Sequence, residues 1–146
     1  MRPYTDAVVA KSARVLAFCL ATLLLPTPAR TEHEVFYRYV ALGYVKDASG
    51  AALAGVGVEL IRDRTGFSYL AETDAHGFYV IVARLGDESA GERLTVKAGF
   101  VAAAITARFD PGNHTDHRGT RLDFVGSRAE ERSSWFAATL QHFLAE

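Results

Sequence analysis

The chain has 146 residues, with 16 Lys+Arg against 17 Asp+Glu and a formal net charge of −1. A balance this close to neutral, without a basic run, excludes the electrostatic footprint of nucleic-acid binding. A single Cys in the whole sequence excludes a disulfide frame and a thiolate metal site.

The first element is a leader. Arg2, Lys11 and Arg14, diluted by Asp6, precede the apolar run Val15–Leu25, which is interrupted by Thr22 and ended by Pro26. Thr27-Pro28-Ala29 offers small residues for cleavage after Ala29, so residues 1–29 are predicted to be a secretory signal peptide. The run falls short of the roughly 20 apolar residues of a membrane span, which weighs against retention as an anchor. Cys19 follows the bulky Phe18 and lies inside the run, which argues against lipid attachment. Cleavage removes three basic residues and one acidic one, leaving 13 Lys+Arg against 16 Asp+Glu, about −3, and no Cys. The remaining 117 residues suit one exported domain, periplasmic or extracellular, with a single core.

Residues 30–37 are a polar lead, and 38–126 read as a sandwich domain. The predicted strands are Tyr39–Lys46, Val56–Arg62, Phe67–Thr73, Phe78–Ala83, Arg93–Ala98, Phe100–Phe109 and Thr120–Val125. Alternation assigns inward faces: Val56, Val58 and Leu60; Phe67, Tyr69 and Ala71; Leu94, Val96 and Ala98; Val101, Ala103, Ile105, Ala107 and Phe109; Leu122 and Phe124. Phe78–Ala83 is nearly all apolar, as expected of a strand in the middle of a sandwich. Asp47–Gly50, Asp63–Gly66 and Asp74–Gly77 are turns, where Asp bonds nearby backbone and Gly accepts positive φ. Seven short strands at this spacing predict an all-β, antiparallel Greek-key sandwich. The tail 127–146 is predicted to be an amphipathic helix, capped by Ser133 or Ser134, with Trp135, Phe136, Thr139, Leu140, Phe143 and Leu144 on one stripe.

Gly43-Tyr44-Val45, Asp47–Gly50, Gly55–Val58 and the closing Thr73, Asp74, Gly77, Tyr79 together resemble the carboxypeptidase regulatory-like domain. That family is a transthyretin-like (prealbumin-like) sandwich, found beside the catalytic domain of some metallocarboxypeptidases and in many exported bacterial proteins. The match covers about a quarter of the chain, and Ala52 departs from it where Pro is common. The resemblance implies the fold and is almost silent on activity. Asp47, Gly50, Thr73, Asp74, Gly77 and Tyr79 carry turn and packing roles: Asp74 closes a turn, Gly77 takes a special backbone conformation, and Tyr79 puts its ring in the core with its hydroxyl on backbone.

Candidate chemistry lies elsewhere. Asp110–Arg118 (DPGNHTDHR) holds two imidazoles and two carboxylates in a loop, where His114, Asp116 and His117 could ligate zinc or copper. The alternative is a solvated loop, and no cofactor is expected. Asn113-His114-Thr115 matches a glycosylation acceptor, relevant only in a eukaryotic secretory pathway. His33, His76 and His142 show no partner in the pattern. The enzyme alternative on this fold is the transthyretin-related hydrolase of 5-hydroxyisourate. Its terminal Tyr-Arg-Gly-Ser has only the internal His117-Arg118-Gly119-Thr120 as a counterpart, and the sequence ends Phe143-Leu144-Ala145-Glu146. No nucleophile elbow, zincin pair or phosphate loop is present. Trp135, Phe136, Leu140, Phe143 and Leu144 would either cover the chain's own sheet or dock a partner. A membrane-surface contact is the weaker form, since the stripe lacks a Lys/Arg-rich flank. The expectation is an exported, non-catalytic accessory or protein-interaction module of the bacterial envelope, partnered by another envelope or secreted protein; the alternative is a periplasmic small-ligand or metal-binding protein using the Asp110–Arg118 loop.

Overall fold

The computed structural model describes residues 38–146. The predicted signal peptide with Cys19, and the polar lead with His33, lie outside the described residues. Eight strands are described: β1 (Arg38–Lys46), β2 (Gly57–Arg62), β3 (Ser68–Glu72), β4 (Phe78–Arg84), β5 (Arg93–Ala98), β6 (Val101–Thr106), β7 (Arg118–Val125) and β8 (Arg128–Glu131). Short 3-10 turns sit at Asp87–Ser89 and Ser133–Trp135, and one α-helix, α1, runs Phe136–Ala145. The strands form two four-stranded sheets, ordered β4-β1-β7-β8 (sheet one) and β3-β2-β5-β6 (sheet two).

The expectation of seven antiparallel strands is corrected twice. β1 runs parallel to β7, with Tyr39 opposite Arg118 and Val45 opposite Phe124. The eighth strand, β8, occupies part of the 127–146 segment expected to be helical and pairs antiparallel with β7. Gly126 makes that turn at φ +59°, and its N–H donates to the Lys46 carbonyl at 2.9 Å. Arg-Ala-Glu-Glu suits an edge, where charged side chains stay in water and discourage further pairing. Four residues are too few to show a period, which is why the strand was hidden.

The inward faces meet in one core. Val58, Leu60, Tyr79, Ile81, Leu94, Val96, Ile105, Leu122 and Phe124 are buried there, with Val56, Tyr69, Ala71, Val101, Ala103 and Phe109 packed at its margin. Phe67, expected inward, is exposed beyond the end of β3 and packs edge-on against Tyr69, ring centres 5.1 Å apart. β4, expected in the middle, is the edge of sheet one. Its second apolar face has another cause. Phe78 and Val80 pack with Val40, Leu42, Phe136 and Leu140 in a smaller cluster, because α1 covers the outer face of sheet one. Val82, on the same face, is half exposed.

The turn residues form a hydrogen-bonded frame. Asp47 Oδ1 accepts from the Ser49 and Ala51 N–H groups and the Ser49 hydroxyl, at 2.8, 3.0 and 2.6 Å. These bonds hold its carboxyl below the usual range, the Ser49 hydroxyl contributing most. Gly50 follows at φ +88°. Asp74 Oδ1 accepts from the N–H groups of His76 and Phe78 at 2.8 and 2.9 Å. Gly77 has φ +73°, and a Cβ there would come within 2.5 Å of the Val45 carbonyl. Thr73 Oγ1 donates to the Leu53 carbonyl at 2.6 Å and accepts from Val56 N–H at 2.9 Å. The buried Tyr79 hydroxyl donates to the Leu122 carbonyl at 2.7 Å. Across sheet two, Arg62 Nε and Nη2 donate to the two Glu92 oxygens at 2.8 Å each, tying the loop after β4 to β2.

Candidate functional site

The chain reaches α1 through a seat that sheet one prepares. Arg132 N–H donates to the Arg121 carbonyl at 2.7 Å, and the 3-10 turn then delivers Phe136 onto β7. Gly119 makes the room: a Cβ there would lie 2.5 Å from Phe136 Cζ. The predicted Ser133 or Ser134 cap is absent, since Trp135 occupies the N-cap position and makes no side-chain cap bond. The 3-10 turn consumes the serines instead.

A charged latch secures the start of the helix. Arg121 donates to both carboxylate oxygens of Asp123, with Nη2–Oδ2 at 2.9 Å, and its Nη1 donates to Thr139 Oγ1 at 3.1 Å. Its guanidinium sits 5.1 Å from the Tyr44 ring centre and 5.8 Å from that of Trp135. Asp123 Oδ1 also accepts from Tyr44 N–H at 3.0 Å. Sequence reasoning missed this cluster. Its only trace was the Arg-Leu-Asp alternation of β7, read there for Leu122 and Phe124 alone.

The loop between β6 and β7 is braced rather than loose. Asn113 Oδ1 accepts from Thr115 and Asp116 N–H groups at 3.0 and 3.1 Å, and its Nδ2 donates to Asp116 Oδ2 at 2.7 Å. The Arg118 side chain is buried beneath, donating to Asp87 Oδ1 at 2.7 Å and to the Pro111 and Asn113 carbonyls, with its guanidinium 4.3 Å from the Phe109 ring centre. His114 Nε2 lies 2.9 Å from Asp87 Oδ2. Arg118, and then His114, hold the Asp87 carboxyl below the usual range. The three metal candidates are thereby parted: His114 faces Asp87, Asp116 bonds Asn113, and His117 lines a groove. Among the described residues, no three His, Cys, Asp or Glu side chains gather at metal-binding geometry.

That groove joins the two regions singled out from sequence. It encloses about 540 Å³ between Phe136, Ala137, Leu140, Gln141, Leu144 and Ala145 of α1 and Thr115, Asp116 and His117 of the loop. The proposed partner stripe is divided. Phe136 and Leu140 are buried against Val40 and Leu42, so they chiefly seat the helix and reach the groove only with the little surface left exposed. Trp135, Phe143 and Leu144 are exposed, Leu144 by 62 %. Phe143 lies 5.5 Å from the Phe78 ring centre. A smaller hollow of about 240 Å³ lies on another side of α1, among Tyr44, Phe78, Phe143, His76 and His142. His142 Nε2 is 3.4 Å from Glu146 Oε1.

No family model and no curated protein sequence matches the chain. Some solved structures are distantly similar. One is the dioxygenase domain of a dioxygenase carbohydrate-binding protein fusion from Streptomyces sp. SirexAA-E, at 21% identity and TM-score 0.40, covering 61% of this chain and 79% of that one. Another is chlorocatechol 1,2-dioxygenase from Pseudomonas putida, at 14% identity and TM-score 0.43, covering 64% of this chain and 61% of that one. A third is a 9R-lipoxygenase from Cyanothece PCC8801, at 11% identity and TM-score 0.40, covering 78% of this chain but 20% of the enzyme. These likenesses assign no activity here. They do correct one expectation: scaffolds similar to this one occur in enzymes, so the fold gives no ground for calling the chain non-catalytic, and that expectation is withdrawn.

Proposed function

We propose that the chain is an exported docking module of the cell envelope, related to the carboxypeptidase regulatory-like, transthyretin-like Greek-key sandwiches. Its groove between α1 and the 115–117 loop holds an apolar segment of another envelope or secreted protein. The observation that carries this reading is the groove itself. An apolar helix flank faces a braced polar loop, and Leu144 stands largely exposed over the gap. The lining runs from Phe136 to Ala145, about 14 Å at the helical rise of 1.5 Å per residue. An extended segment of about four residues has that length, so the shape favours a peptide chain over a compact ligand. α1 contains no Lys or Arg, which favours a protein over a charged lipid surface.

The test places a photo-crosslinking residue at Ala137 in the exported chain, in its native envelope. The expected result is a defined protein adduct that Leu144→Glu abolishes, while a crosslinker at Thr95, on the opposite side of the molecule, yields none. An adduct unchanged by Leu144→Glu removes the groove from consideration. A small molecule retained in native mass spectrometry and lost in Leu144→Glu replaces the peptide with a compact ligand.

A further inference from the structure

Independently of what the groove holds, we propose that Arg38 and Arg84 form a binding site for a phosphate monoester, held between two guanidinium groups on the outer face of sheet one. The two residues lie directly opposite each other on β1 and β4. Tyr39 and Ala83 point into the core, so their neighbours Arg38 and Arg84 both point outward, on the face that carries α1. The helix does not reach them. It covers Val40 and Val80, Val82 is half exposed, and the two arginines, one row further, are exposed.

The ladder brings this pair close together. The Arg84 N–H donates to the Tyr69 hydroxyl at 3.1 Å, and the Arg84 carbonyl accepts from that hydroxyl at 3.4 Å. Both backbone groups of Arg84 thus face away from β1. Arg38–Arg84 is therefore a non-hydrogen-bonded pair, the kind whose Cα atoms stand about 4.5 Å apart and whose side chains are closest. Like charges directly opposite each other destabilise a sheet. Arg62, Arg64, Arg93, Arg118, Arg121 and Arg132 each meet a carboxylate. Neither the Arg38 nor the Arg84 guanidinium has an ion pair or hydrogen bond among the described residues. Asp87, three positions after Arg84, is taken by Arg118 and His114. Arg108 and Arg128 also lack a carboxylate, but neither faces a second arginine in a ladder. Two guanidiniums side by side offer paired N–H forks and two positive charges. A phosphate monoester, with three acceptor oxygens and a charge of about −1.5 to −2, matches them better than a carboxylate does. Bound there, it also removes the repulsion that the register imposes.

The test is calorimetric titration of the full chain, expressed with its leader and purified after export, with inorganic phosphate at constant ionic strength. Phosphate should bind with Kd of about 1 mM or below, and acetate about tenfold more weakly. Arg38→Gln and Arg84→Gln should each weaken phosphate by about tenfold or more, and Arg128→Gln, at the opposite end of sheet one, should leave it unchanged. Melting temperature separates this from a structural role. Without phosphate, both Gln variants should melt at or above the parent's temperature, because each removes one of two like charges, and phosphate should raise the parent's alone. Glycerol 3-phosphate and phosphatidylcholine vesicles containing phosphatidic acid present the same group. Binding of the soluble ester assigns a soluble ligand, and binding of the vesicles alone assigns a lipid. No heat with phosphate at about 10 mM, acetate bound equally well, or phosphate binding that survives both Gln variants overturns the proposal. So does a lowered melting temperature of both variants in phosphate-free buffer.

Discussion

Truncating Phe136 to Ala tests whether α1 is an integral part of the fold or a separable cover. Phe136 is the larger of two buried side chains that seat the helix, filling the space Gly119 leaves and touching Val40, Leu42 and Leu140. A buried Phe cut to Ala costs about 3–5 kcal/mol when the surroundings stay in place. A ten-residue helix has little stability of its own in water. Leu140, the Arg121–Thr139 hydrogen bond and the Phe143–Phe78 ring contact then have to hold it, contributing about 2, about 1 and about 1 kcal/mol. The expected outcome is detachment of α1 below the melting temperature of the sandwich. The chain's one Trp, Trp135, sits at the head of the helix and reports this by a change in emission as it leaves the Arg121 guanidinium. Hydrogen exchange over 136–145 should rise while β1, β2 and β5 stay protected. Leu144→Ala should change stability by less than about 0.5 kcal/mol. If Phe136→Ala leaves both Trp135 emission and exchange over 136–145 unaltered, the seat does not hold the helix and the reasoning fails.

Other outcomes follow from the frame. Gly43→Ala drives a Cβ into the Leu122 carbonyl and should cost at least about 2 kcal/mol in urea unfolding, since backbone cannot yield as a side chain does. Tyr79→Phe removes a buried hydrogen bond and should cost about 1–2 kcal/mol, read the same way; no change in midpoint would show that the bond carries nothing. The Arg62 hydrogen bond holds the Glu92 carboxyl below its ordinary 4.5. A depressed carboxyl contributes stability above its unfolded pKa and loses it as pH falls through the folded value. Melting temperature should therefore hold from pH 7 to about 5 and fall below about 4, and Glu92→Gln should flatten that fall. Parallel curves for the two proteins would remove Glu92 as a cause. Calorimetric titration with zinc should give no heat that His114→Ala removes, because Asp87 already engages that imidazole.

The seven predicted strands lie within a few residues of strands in the structure, because each carries period-two alternation next to an Asp/Gly turn. Long-range partners were not legible. Nothing local in β1 says that it lies parallel to β7, and four charged residues do not announce β8. Apolarity on both faces of β4 pointed to a central strand, when its real cause was a helix that starts at Phe136, 58 positions after Phe78. The site was half legible. Composition marked the loop and the stripe, while their meeting at one groove, and the Arg121 latch beside it, depend on tertiary placement. The division of the stripe into seated Phe136 and Leu140 and exposed Trp135, Phe143 and Leu144 follows from which flank of α1 rests on Val40 and Leu42 of sheet one.

The parallel contact of β1 with β7 also governs the order in which the molecule can come into being. A chain synthesised or threaded from its N-terminus presents β1 first, yet Tyr44 meets Asp123 across 79 residues. Sheet one has β1 at its heart, bonded to β4 on one side and β7 on the other, so it stays open until nearly the last strand has emerged. Closing so wide a loop is entropically slow. The outer apolar face of β1 and β4 waits longer still for its permanent cover, since α1, which shields it, follows β7 and β8.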